Sequence, residues 1–129
     1  MKRAVDFDGT LGIYEKWEGP EVLGEPIVPM VERVREWLSN GDEVVIFTAR
    51  VYYDDNGKFT KEDAEISERA VKAWCLDVFG QELEVTCMKD PDMEEIWDDR
   101  AIRVEKNIGE IETPELVSVS SDILEDMEW

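Results

Sequence analysis

Apolar and polar positions change rhythm several times along the chain, and each change marks an element. Residues 43–48 (Glu-Val-Val-Ile-Phe-Thr) hold four consecutive apolar side chains, as a strand covered on both faces of a parallel sheet requires. Residues 3–7 (Arg-Ala-Val-Asp-Phe) are short, partly β-branched and bounded by Gly9. They predict a second buried strand that ends at Asp6 to Asp8. Residues 83–88 alternate like a third strand. A short apolar pulse, Ile96-Trp97, runs into Asp98-Asp99, and residues 101–104 are expected to extend or follow it.

Two stretches switch to helical spacing. Pro29 opens the first, with Met30, Val31, Val34, Trp37 and Leu38 along one side, and Gly41 stops it. Thr60 with Asp63 resembles a capping box at the start of the second. That helix turns Ala64, Val71, Trp74, Cys75 and Val78 inward and ends at Gly80, so Trp37 and Trp74 both belong to the core. Residues 9–28 are rich in Gly and Pro and predict a loop or small flap in which Tyr14 and Trp17 pack. Asn56-Gly57 marks a turn. From residue 105 onward the tone changes to an acidic extension, eight acids against Lys106 alone. Leu116, Val117, Val119, Ile123 and Leu124 predict that part of it packs as a strand and a short helix.

Strand, helix, strand, helix, strand is the order of a doubly wound α/β domain, a Rossmann-like parallel sheet. The 129 residues suit one such domain. Function in these sheets gathers at the carboxyl ends of the strands. The ends here carry Asp6 and Asp8, Thr48 with Arg50, Met88 with Lys89, and Asp98 with Asp99.

Charge then narrows the chemistry. The chain has 33 acids against 14 bases, a formal charge of −19, and not one histidine. Ser-His-Asp and Cys-His catalysis, phosphohistidine chemistry and His-ligated zinc are therefore excluded. A long nucleic acid is a poor partner for such a surface, because that affinity rests on Lys and Arg neutralising phosphates. An anionic membrane would be repelled as well. Five Trp and 43% hydrophobic residues separate the chain from disordered acidic polymers. No apolar run is long enough for a signal peptide or a membrane span, so a cytoplasmic location is expected. Cys75 and Cys87 lack CxxC spacing and are expected to be buried apolar filler in a reducing compartment. Oligomeric state has no sequence signature here.

Side chains two apart on a strand point the same way, so Asp6 and Asp8 are expected to share one hard cation. Gly9 allows a tight turn, after which Gly9 and Thr10 would leave backbone N–H groups free for an anion. Asp98 and Asp99 add carboxylates from another strand end. An oxygen-only set suits Mg²⁺, which takes a few carboxylates, several waters and a substrate phosphate. Lys89 would offset charge, and Thr48 would donate to a phosphoryl oxygen. The set reads as phosphoryl transfer to an aspartate nucleophile.

Asp6-Phe7-Asp8-Gly9-Thr10-Leu11 after a short strand resembles the DxDGT motif of the haloacid dehalogenase (HAD) superfamily of phosphohydrolases. The match continues in order with Thr48 after Val44–Phe47, then Lys89, then Asp98-Asp99, covering residues 3 to about 104. The resemblance implies Asp6 as the nucleophile that forms an aspartyl-phosphate. It implies Asp8 as the acid that protonates the leaving group and then the base that activates water. Thr48 and Lys89 would hold the phosphoryl group. Asp6, the backbone carbonyl of Asp8 and one of Asp98 and Asp99 would hold Mg²⁺. The segments where that superfamily inserts cap domains are short here, which implies a capless member with an open site. Thr48-Ala49-Arg50 and Asp98-Asp99-Arg100 are also similar to the phosphatase domain of polynucleotide kinase-phosphatase, to deoxyribonucleotidases and to small phage hydrolases. By that likeness Arg50 would contact the substrate phosphate or its neighbourhood, and Arg100 would orient the acid pair.

The expected activity is Mg²⁺-dependent hydrolysis of a small nucleotide-like or sugar phosphate, with the terminal phosphate of an oligonucleotide as an alternative. A phospho-receiver module uses Asp, Thr and Lys on the same fold class, but there the acidic pair comes first, whereas here the second pair follows Lys89. An acidic decoy that mimics nucleic acid would have no need of Asp6 and Asp8.

Overall fold

Most of the apolar runs form the strand or helix their spacing predicts in the computed structural model, which describes residues 1–112. Strand β1 is Lys2–Val5, helix α1 Val28–Ser39, strand β2 Glu43–Phe47, helix α2 Lys61–Phe79, strand β3 Glu84–Thr86 and strand β4 Met93–Trp97. The strands form one sheet in the order β3-β2-β1-β4, and every pairing is parallel. With its two helical crossovers this is an α/β fold of the doubly wound type.

Local chemistry explains the helix ends. Pro29 sits in the first turn of α1, where its missing N–H costs nothing. The Thr60 hydroxyl accepts the Asp63 N–H at 3.1 Å, and Gly80 ends α2 in the left-handed region at φ 77°. Val44, Val45 and Ile46 are all buried, so β2 is covered on both faces as four apolar residues in a row predict.

One face of the sheet presents Val5, Val44, Ile46 and Val85, alternate positions of three strands. Met30, Val31 and Val34 of α1 and Val71 and Cys75 of α2 close over it. A fully buried side chain such as Val34 or Ile46 contributes about 1.5–3 kcal/mol. Phe7 extends the cluster past the end of β1 and meets the edge of Trp74 at 4.9 Å. Trp37 and Trp74 are half-buried walls of this core rather than its centre.

Three boundaries differ from the sequence pattern. β1 stops at Val5, before both acids, because Phe7 already turns the chain. β3 keeps only three residues of 83–88. β4 starts at Met93, ahead of the apolar pulse, since Glu95 on this edge strand is tied to Arg3 of β1. Arg3 also pairs with Asp42 and lies 4.6 Å over the Trp37 ring, so its charge is spent on holding the amino end of the sheet.

The chain divides into two compact units, Met1–Asp99 and Arg100–Trp129, ahead of the acidic extension read from residue 105. Within the second unit Val104 and Ile111 form an antiparallel bridge, and Arg103 Nε donates to Glu112 Oε2 at 2.6 Å. The predicted packing of 116–124 lies outside the described residues. Among the described residues no helix is long and apolar enough to cross a membrane.

Candidate active site

Asp6 follows the last residue of β1. Its N–H donates to the Trp97 carbonyl at 2.8 Å, which carries the β1–β4 pairing one residue past the strand. That bond sets Asp6 beside the two acids that follow β4. Ligand oxygens of Asp6, Asp98 and Asp99 all lie within 4.8 Å of one another. Asp6 is buried, Asp98 half-buried and Asp99 exposed, so the cluster opens to solvent on one side. The Phe7 N–H donates to Asp6 Oδ1 at 2.8 Å and orients the carboxylate.

Electrostatics at Asp6 follow from this crowding. Burial pushes its carboxyl up to about 7; the Phe7 N–H opposes the rise, and Asp98 and Asp99 add to it through like charge and through the hydrogen bond that protonated Asp6 donates to Asp99. A hard divalent cation fits such a set on two counts: every donor is an oxygen, and three carboxylates this close cost energy that a cation would offset.

The turn after Asp6 spends its own donors. Thr10, Leu11 and Gly12 all donate to the Phe7 carbonyl, at 3.2, 2.9 and 3.0 Å, and Gly9 N–H donates to the Gly12 carbonyl at 2.8 Å. Gly9 and Thr10 therefore do not offer free N–H groups to an anion, contrary to the expectation from sequence; a turn this tight satisfies itself. Their roles are different. Gly9 stands at φ 81°, and a Cβ there would meet Asp99 Oδ2 at 2.5 Å, so only glycine lets Asp99 approach. The Thr10 hydroxyl donates to Asp99 Oδ1 at 3.2 Å and accepts the Asp99 N–H at 3.1 Å.

Asp8 is not in the cluster through its carboxylate. Because β1 has ended, the period-2 argument that aimed Asp6 and Asp8 at one cation does not apply. Arg50 takes both Asp8 oxygens instead, Nε to Oδ2 at 2.7 Å and Nη2 to Oδ1 at 2.9 Å. The guanidinium is buried, its side chain 4% exposed. It also donates from Nη2 to the Val22 carbonyl at 3.0 Å and from Nη1 to the Pro20 carbonyl at 3.5 Å. Trp17 covers it at 4.9 Å from the ring centre. Arg50, expected to contact the substrate phosphate or its neighbourhood, instead spends its Nε and Nη2 donors on Asp8 and Val22.

Thr48 lies where the sequence placed it, buried just past β2. Its N–H donates to the Thr86 carbonyl at 2.9 Å, and its side-chain oxygen accepts the Arg50 N–H at 3.1 Å as the cap of a 3₁₀ turn, Ala49–Val51. Lys89 is different. It is exposed in the connection from β3 to β4, and its neighbour Asp90 accepts from Lys2 Nζ at 2.7 Å. Lys2 begins β1 and Asp6 follows its end, so the chain has already turned toward the opposite edge of the sheet. Among the described residues no hydrogen bond or ion pair ties Lys89 to the cluster.

Tyr14 is exposed, at 44%, and Trp17, 52% exposed, packs one face on Arg50. Cys75 is buried as expected, its thiol pushed up to about 12 by burial, while Cys87 is only half-buried; both are free. Ser67, which the sequence did not single out, and Trp74, expected only as core, shape the flap: Ser67 Oγ donates to the Pro20 carbonyl at 3.2 Å, and Trp74 Nε1 to the Gly24 carbonyl at 3.1 Å.

No family model matches the chain, and no curated protein matches it. A solved structure of a conserved protein from Bacteroides thetaiotaomicron is similar, at 20% identity and a TM-score of 0.51, over 98% of this chain and 91% of that one. What that likeness shows is the fold alone, an α/β domain on a parallel sheet.

Proposed function

We propose that this chain is a Mg²⁺-dependent phosphatase of the HAD type, acting on small phosphate monoesters through an aspartyl-phosphate on Asp6. The observation that carries the reading is the convergence of Asp6 with Asp98 and Asp99, some 92 positions along the chain, at the carboxyl edge of a parallel sheet. When bound, a divalent cation supplies positive charge against the three carboxylates and the phosphoryl oxygens.

The chain's own groups then divide the work. An ionised Asp6 oxygen attacks phosphorus while the Phe7 N–H holds the carboxylate in place. The P–O bond to the leaving group breaks, and the departing oxygen takes a proton from Asp8. Asp8 next takes a proton from water, which attacks the acyl phosphate, releases inorganic phosphate and restores Asp6. Each Asp8 oxygen keeps a second lone-pair position beyond its contact with Arg50, so the carboxylate can carry a proton without releasing the guanidinium. The Thr48 oxygen is occupied as an acceptor, which leaves its O–H to donate to a phosphoryl oxygen.

The connections 9–27 and 49–60 are short, as a site without a cap domain needs, and two free cysteines suit a reducing cytoplasm. The test is a panel of sugar phosphates, nucleoside monophosphates, a 3′-phosphorylated oligonucleotide and an aryl phosphate, assayed with Mg²⁺ beside Asp6→Asn. Phosphate release that needs both Mg²⁺ and Asp6 supports the reading. No Asp6-dependent release from any of them ends it.

A further inference from the structure

The Asp8–Arg50 pair joins two parts of the molecule that the phosphatase reading treats separately. Asp8 follows β1, and Arg50 sits in the turn after β2. Arg50 also reaches the segment 17–22 of the flap. One guanidinium spans Asp8 Oδ1 and Oδ2, the Val22 and Pro20 carbonyls and the Trp17 ring. We propose that Arg50 is a positioning residue that couples the flap to Asp8, and not a ligand of the substrate phosphate.

Three features carry this. A planar fork on a carboxylate fixes both its distance and its plane, so the rotamer of Asp8 is set by Arg50. A phosphate ligand needs donors facing the open site, yet this side chain is 4% exposed and its Nε and Nη2 are spent on Asp8 and Val22. The flap is pinned at its base, where Ile13 N–H donates to the Glu25 carbonyl at 2.9 Å and Ile27 N–H to the Leu11 carbonyl at 2.7 Å. Its far part, 14–18, is exposed. Between the base and that part the flap is tied to the body by Arg50 on Pro20 and Val22, Ser67 on Pro20 and Trp74 on Gly24, and within 14–18 Trp17 lies against Arg50. Movement of the flap would therefore reach Asp8 through Arg50, and release of Asp8 would loosen the flap.

The catalytic half of this inference rests on the phosphatase reading; the mechanical half does not. The experiment uses the full chain and two variants, Arg50→Lys and Asp8→Asn. Hydrogen exchange is followed by mass spectrometry, with peptides of α1 as the internal reference for folding. Lysine keeps the charge and loses the fork, and asparagine keeps the shape and loses the charge. Both variants are expected to speed exchange in 14–24 by about tenfold while α1 is unchanged. Acceleration in Asp8→Asn is the sharper result, because that substitution reaches the 17–22 segment through Arg50. In the activity arm Arg50→Lys is expected to lower kcat by about tenfold or more with KM within about twofold. Flap exchange that rises in Arg50→Lys alone, or in neither variant, overturns the coupling. A raised KM at constant kcat makes Arg50 a substrate ligand and overturns the proposal. If the wild-type chain hydrolyses no monoester, the phosphatase reading falls, and the exchange arm still decides the coupling.

Discussion

Thr10 and Asp99, 89 positions apart, hold each other by two hydrogen bonds through one hydroxyl: Thr10 Oγ1 donates to Asp99 Oδ1 and accepts the Asp99 N–H. The side chain that would ligate a cation is thus fixed by a residue that does not ligate it. Thr10→Val keeps the shape and removes both bonds. It is expected to raise the Mg²⁺ requirement of activity by about 10- to 100-fold. Stability should fall by about 1–2 kcal/mol. Mg²⁺ titration of the rate and urea unfolding measure the two, and Thr10→Ser should restore most of both.

Gly9 has two reasons to be glycine, its positive φ and the Asp99 carboxylate where a Cβ would stand. Gly9→Ala combines backbone strain with displacement of a ligand. The expected loss is about 1–3 kcal/mol in urea unfolding, with Mg²⁺ affinity falling in parallel. Unchanged affinity would mean that Asp99 is not where the metal binds.

Asp6 makes stability depend on pH. Its carboxyl lies at about 7 in the folded chain against an ordinary value of 3.8. A group whose proton is held more tightly when folded loses stability as pH rises between those values: the full contribution is present below about pH 4 and is gone above about pH 7. The loss amounts to as much as about 4 kcal/mol when no cation is bound. Asp6→Asn removes it. Melting temperature measured in a chelator is expected to fall between about pH 5.5 and pH 8 more steeply for the wild type than for Asp6→Asn. Added Mg²⁺ should raise the wild-type value at the higher pH and leave the variant nearly unmoved. Parallel profiles would contradict the burial of a charged Asp6.

Lys89 separates motif order from geometry. Its exposed position beside Asp90, which is bound to Lys2, predicts that Lys89→Ala changes kcat/KM by less than about threefold. A loss of about a hundredfold would show that the loop turns back toward the site when substrate binds.

Elements with a local cause were legible in the sequence. Val44–Phe47 announced a buried strand, Pro29 and Gly41 bracketed α1, and Thr60 and Gly80 bracketed α2, each through chemistry within a few residues. Asp6, Asp98 and Asp99 were legible because parallel strands deliver their carboxyl ends to one edge. What was not legible depends on distance. The pairing of Asp8 with Arg50 spans 42 positions, and nothing near either residue reveals it. The turn donors of Gly9 and Thr10 were misassigned because a free N–H and a satisfied one look alike in sequence. Lys89 follows a strand closely, but the direction in which the chain leaves that strand is a tertiary fact. The early start of β4 was hidden because its exposed Glu94 and its Arg3-bound Glu95 break the apolar pattern.

Rapid acid quench of the full chain turning over an activated aryl phosphate with Mg²⁺ tests the central claim most directly. A protein adduct with the mass of one phosphoryl group is expected, located to the peptide that contains Asp6, labile to hydroxylamine and absent from Asp6→Asn. Phosphate release that proceeds with no such adduct, or an adduct that survives in Asp6→Asn, would contradict it.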